Sequence, residues 1–301
     1  MKEWLISVDI LAYVFVGGVV YYQHTCRKKT KLVLKKYEET LNEAVKENQN
    51  TLFVKEKYAV LNKEEQEIFK RVENKLKQSN EAIYEFYREL TRHTSPENLR
   101  NFVSNIQFAT LDINDSKKKK KCVFQSFYDQ TKNKITIYTQ LPETLTHDLL
   151  HLSSNNQSAK TNGFHAYGTF KEDSYEIGNG LDEGYTEILN QRYFQQVAIN
   201  SPKLVRLSSL IEKFYQNPKD METDYFNACL ENLILELTKS MDIKDAINIV
   251  LKIDYVAIHP NDHIFYHKVI NKLIELYRQS HKRQETKEFV EEAKKQIVKQ
   301  K

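Results

Sequence analysis

The chain has 301 residues, 29% of them charged, with only 7 glycines and 5 prolines and a formal net charge of +4. That is the composition of a folded, helix-rich protein with one ordinary domain plus accessory elements, and it excludes a linker-dominated or low-complexity chain. The modest charge sits in local runs and excludes a general nucleic-acid binder, while three scattered cysteines (Cys26, Cys122, Cys229) give neither a disulfide framework nor a cysteine-based metal site.

In chain order, WLISVDILAYVFVGGVVYY (Trp4–Tyr22) is apolar except for Ser7 and Asp9 and carries aromatic residues at both ends. At about 1.5 Å per residue it matches a hydrocarbon core of roughly 30 Å, so it predicts a transmembrane anchor with the lipid bilayer as partner. Arg27, Lys28, Lys29, Lys31, Lys35 and Lys36 follow it, which by the positive-inside rule puts the rest of a single-pass protein in the cytoplasm. Helical periodicity with mixed charges runs from Thr30 to about Gln49. A second helix opens at Asn62, whose N-K-E-E offers a cap, and extends toward His93 with Ile68, Val72, Leu76, Ile83, Phe86 and Leu90 as its apolar stripe. Ser95-Pro96 then opens a short helix.

Three β-branched and aromatic segments come next: NIQFATLDI (105–113), KCVFQSFYD (121–129) and KITIYT (134–139). The turn residues DQTKN make the last two a hairpin. The lysine run Lys117–Lys121 reads as a solvated connection that protects a strand edge. After Pro142 a helix carries HDLLH. GFHAYGTF and SYEIG form a further hairpin, and from Leu181 onward the pattern is helical. The expected class is α+β, with a transmembrane and basic segment at 1–29, a juxtamembrane helical region at 30–100 and the main domain at 101–301.

Within HDLLH, His147 and His151 sit four residues apart on one helix face, so both rings can address one ion. Spacing alone is weak: His259/His263 and His263/His267 repeat it in HPNDHIFYH, where a helix start is the plainer reading. Context favours the first pair. Leucines flank it, a strand precedes it, and G-L-D-E-G-Y-T-E follows at Gly180–Glu187.

HDLLH followed by LDEGYTE resembles the gluzincin branch of zinc metallopeptidases, over roughly residues 120–200. The resemblance implies a zincin-like fold and a Zn2+ ion held by His147, His151 and Glu183. It also implies Asp148 as the general base, Glu187 as the residue that orients a histidine from behind, and a peptide or protein substrate lying along the KITIYT strand. Two departures stand out. Asp182 replaces the usual asparagine, with little expected effect, and Asp148 replaces the catalytic glutamate. A base one methylene shorter weakens turnover if it misses the 2.6–3.2 Å reach that proton transfer needs. The expected function is therefore a membrane-anchored zinc peptidase, with a catalytically inactive metal-binding scaffold as the alternative. Gly184 is expected to let the backbone pass close to the metal helix, or else to serve packing. Tyr185, Tyr193, His165 and the 259–263 segment are the candidates for holding a developing oxyanion.

Overall fold

The computed structural model describes residues 31–32, 35–36, 39, 60–113, 126–137, 142–170, 172–196, 202–280 and 283–295. The expected helix from Thr30 to Gln49 falls mostly outside these, as does the lysine run.

Helix α1 (Lys63–Ser79) starts with a capping box, in which Asn62 accepts from the Glu65 N–H and Glu65 accepts from the Asn62 N–H. The expected single helix to His93 is broken at Asn80, whose backbone is extended and whose side chain accepts from Ile83 N–H to cap α2 (Glu81–His93). An asparagine that both ends one helix and caps the next is the physical reason for the break. A 3-10 turn (Pro96–Leu99) leads into α3 (Arg100–Ile106).

The strands are short. The first, β1 (Thr110–Ile113), is followed by β2 (Ser126–Asp129) and β3 (Lys134–Ile137) in a sheet of order β1-β3-β2. The expected hairpin is present, with β2 antiparallel to β3 across the turn that Asp129 closes by accepting from Thr131 and Lys132 N–H. β1 is parallel to β3 on the other side. Because β3 is paired along both edges, a substrate cannot add beside it, and the expected role of KITIYT as a peptide-binding strand is corrected.

Helix α4 (Pro142–Ser154) follows. A four-stranded antiparallel sheet comes after it: β4 (Asn155–Asn156), β5 (Thr161–Asn162), β6 (His165–Phe170) and β7 (Asp173–Ile177). The β6–β7 pair is the second expected hairpin. The remaining elements are helical: α5 (Asn179–Phe194), α6 (Pro202–Glu212), α7 (Pro218–Phe226), α8 (Leu230–Thr238), α9 (Ile243–Ile258), α10 (His263–Ser280) and α11 (Arg283–Lys295).

Helices dominate, so the α+β expectation is corrected to a mostly helical fold with two small sheets. The strand segments were shorter than their composition implied. Asn105, expected in a strand, lies in α3 and donates to the carbonyls of Leu152 and Asn155, which fastens α3 to the end of α4. No helix among the described residues is long and apolar enough to cross a membrane. The single-pass membrane assignment, with its bilayer partner and cytoplasmic placement, is therefore not supported. Residues 4–22, on which it rested, lie outside the described residues.

One apolar core runs from Val72 and Leu76 of α1 through Leu149, Leu150 and Leu152 of α4 to Leu273 of α10. Helix α5 lies at its centre. Arg192 forks onto both oxygens of Glu212 at 3.0 Å, and Ser208 Oγ donates to Leu181 O at 3.1 Å, so α6 holds α5 from behind.

Candidate metal centre

Leu149, Leu150 and Leu152 are fully buried and seat α4 in the core, while Thr146 donates to Asn190 of α5 at 2.7 Å. This packing turns the other face of α4 toward α5, where the two helices run in opposite directions. His147 then lies opposite Glu187, and His151 opposite Asp182 and Glu183.

The two Nε2 atoms face each other at 3.1 Å. Glu183 brings one carboxylate oxygen to 3.5 Å from His147 Nε2 and the other to 3.6 Å from His151 Nε2. The ligand atoms of His147, His151 and Glu183 all lie within 4.8 Å of one another, and together they can hold a metal ion. Among the described residues no other His, Cys, Asp and Glu group converges in this way. The rival histidines do not assemble a site. Asp262 accepts from Phe265 N–H and caps α10, so His263 is the first residue of an ordinary helix.

Behind the rings stand two more carboxylates. Glu187 Oε1 is 3.0 Å from His147 Nδ1, and Asp182 Oδ2 is 3.2 Å from His151 Nδ1. Both sit to one side of the ring N–H direction. A carboxylate can only accept, so these acids favour a proton on each Nδ1 and leave each Nε2 free to present a lone pair to a cation once its own proton is lost. Two lone pairs pointed at each other repel unless a cation or a proton lies between them. Zinc–nitrogen bonds of about 2.0–2.1 Å at a tetrahedral angle place two ligand atoms roughly 3.3 Å apart. The Nε2–Nε2 separation of 3.1 Å is close to that figure, and each ring has one Glu183 oxygen within 3.6 Å. Two imidazoles and one carboxylate are also a donor set that leaves a coordination position open.

The charges agree. Asp182, Glu183 and Glu187 set three negative charges against two rings. For His147, burial pushes the ring pKa down, but Glu183 and Glu187 together carry it up to about 9. Burial opposes His151 in the same way, and the charges of Glu183 and Asp182 still raise it well above the usual imidazole value. Burial would raise Glu183, yet the two rings hold it below the ordinary carboxylate range. Without metal, protons balance the surplus negative charge; one divalent cation can do the same.

Asp182 has a larger part than its sequence position implied. Besides its contact with His151, its other oxygen accepts from Phe164 N–H at 3.0 Å. Gly163, at φ +53°, makes room for it, since a Cβ there would lie 2.0 Å from Asp182 Oδ1. One oxygen accepts from Phe164 N–H and the other sets its negative charge against His151 Nδ1, a pairing an asparagine amide cannot reproduce. The signal in the sequence was only that an acid precedes the ligand glutamate.

The other expectations fare unevenly. Asp148 is buried on the site helix beside His147. The Gly184 close approach is to α6, not to the metal helix. Of the oxyanion candidates, Tyr185 is fully buried with its hydroxyl on Glu212, Tyr193 stacks on His93, and His165 Nε2 lies 3.0 Å from Glu176. These contacts give each of them a structural partner.

The fold and site define a mostly helical protein with a two-histidine, one-carboxylate cluster. Comparison with protein-family models, curated proteins and solved structures gives no match, so the gluzincin resemblance stands on its motifs alone.

Proposed function

We propose that the protein is a zinc-dependent peptidase built on His147, His151 and Glu183. The observation that supports this best is the convergence of both Nε2 atoms and the Glu183 carboxylate within 4.8 Å of one another, with each Nδ1 backed by an acid. A zinc ion held there would acidify a water and polarise a scissile carbonyl. Asp148 takes a proton from the attacking water and passes it to the leaving nitrogen, as a new C–O bond replaces the broken C–N bond. Glu187 and Asp182 keep both rings in the Nδ1–H tautomer and stop them turning. Burial of the rings keeps bulk water away from the charges and strengthens every electrostatic contact there.

The test is zinc content of the purified full-length protein and of H147A and E183A, followed by hydrolysis of a mixed peptide library. About one zinc per wild-type chain, lost in both variants, supports the site; retention of zinc by the variants refutes it. Asp148→Glu separates catalysis from scaffolding. Faster hydrolysis in D148E identifies a weakened peptidase, whereas zinc-loaded wild type and D148E that both leave the library intact identify a metal-binding scaffold.

A further inference from the structure

Helix α5, which carries Asp182, Glu183 and Glu187, has no side-chain cap of its own. Gly178 occupies the cap position at φ +90°. No side chain fits there, because a Cβ would lie 1.9 Å from the Phe164 carbonyl oxygen. The usual Ser, Thr, Asp or Asn cap is sterically barred, and the first N–H groups of the helix need an acceptor from elsewhere.

That acceptor comes from α9. Asp254 Oδ2 accepts from Gly178 N–H and Oδ1 from Gly180 N–H, each at 2.8 Å. The backbones are in close contact, since a Cβ on Gly180 would lie 2.8 Å from Ile253 O. Both carboxylate oxygens are therefore committed to the head of the helix that bears the ligand glutamate. The first helical turn closes with Asp182 N–H donating to Gly178 O at 2.9 Å, and Glu183 is the next residue.

We propose that Asp254 is a positioning residue for the metal centre: by gripping both N–H groups at the head of α5, it fixes Asp182 and Glu183 against His151 and His147. This rests on the reading of the triad as a metal site. Asp254 touches no ligand and acts only through the helix. A half-buried carboxylate on the wall of a cleft is a costly cap. Burial raises its pKa to about 6 even though the two backbone N–H groups, and His165 on β6, work to lower it, while Glu176 on β7 adds to the rise. The cost is offset by a fixed helix register, which a glycine cap alone would leave free to fray. Asp254 also lines a cleft of about 700 Å3 with Glu176 and Asn179. Truncating it opens onto existing space rather than creating a sealed void, so its variants retain the fold.

The experiment compares full-length wild type with Asp254→Asn, Asp254→Ala and Leu273→Ala. Leu273 is fully buried in α10 and serves as a control for general destabilisation. Zinc affinity is measured by competition with a chromophoric chelator, and amide hydrogen exchange across 178–183 is followed in the metal-free protein. Loss of an outer-layer partner typically weakens a metal site by about 10–100-fold. D254N, which keeps one acceptor, is expected to lose about tenfold in affinity and D254A more, both with faster exchange at 180–183. Leu273→Ala is expected to keep its affinity within about twofold. Equal zinc affinity in wild type and both Asp254 variants overturns the proposal, as does an equal loss in Leu273→Ala. A wild-type protein that takes up no zinc overturns the site reading and this inference with it, whereas a wild type that loads zinc no better than D254A overturns this inference alone.

Discussion

Gly184→Ala is the sharpest test of how tightly the ligand helix is held. A Cβ at this position would lie 2.4 Å from both Leu204 O and Ser208 Oγ, where ordinary contact begins at 3.4 Å. The missing space is therefore about 1 Å. Leu204 O is a backbone atom inside α6 and cannot rotate aside, so α5 and α6 must separate. Overpacking of this kind costs about 1–3 kcal/mol, and the better helix propensity of alanine returns about 1 kcal/mol. A net loss of up to about 2 kcal/mol in urea unfolding of the metal-free protein is expected. The recoil also displaces Glu183, the neighbouring residue, from a site whose ligand atoms lie within 4.8 Å of one another. Zinc affinity should fall by at least about tenfold. Removing the Ser208 hydroxyl in G184A/S208A relieves only one of the two clashes, so that double variant should remain destabilised. If G184A unfolds at the wild-type urea concentration and binds zinc as wild type does, the close approach described here is wrong.

Two further predictions follow from acids whose places are fixed by more than one contact. Asp182→Asn should weaken zinc binding by about tenfold while leaving far-UV circular dichroism unchanged, because an amide that still accepts from Phe164 N–H no longer sets a negative charge against His151 Nδ1; unchanged affinity would remove Asp182 from the site. Asp254 should leave a pH signature. Its carboxyl rises from 3.8 to about 6 on folding, so the unfolded chain releases this proton first and stability from this group falls as pH rises between those values. A shift of about two units is worth about 3 kcal/mol, so wild-type stability measured relative to D254N should drop by roughly that amount from pH 4 to pH 7. A difference that stays flat with pH would refute it.

What the sequence displays and what it hides divide along local and non-local lines. His147 and His151 were legible because helical spacing alone sets them on one face, and Glu183 because its motif carries a family resemblance. The first hairpin was legible from its turn residues, the second from its paired segments GFHAYGTF and SYEIG, and Asn62 as a helix cap. The break at Asn80 was hidden because the apolar stripe continues in register through both helices, and only the extended backbone of Asn80 separates them. Asn105 read as the start of a strand because its neighbours are β-branched and aromatic, yet its amide is spent on two carbonyls of another segment. Asp254 was invisible, since its partners are backbone N–H groups more than seventy residues away.

The same division applies to α5. Its ligand and supporting acids lie within a stretch of six residues, Asp182 to Glu187, but nothing local fixes where that stretch sits. Three contacts from distant parts of the chain do so: Asp254 at its head, Phe164 N–H on Asp182, and α6 packed against Gly184. On the opposite face, α4 is held by its leucines and by Thr146 on Asn190. Two imidazoles and three acids brought this close would repel or neutralise one another in a loose structure. Rigid support from both sides keeps the Nε2 atoms converging, and that convergence is the property a metal ion selects.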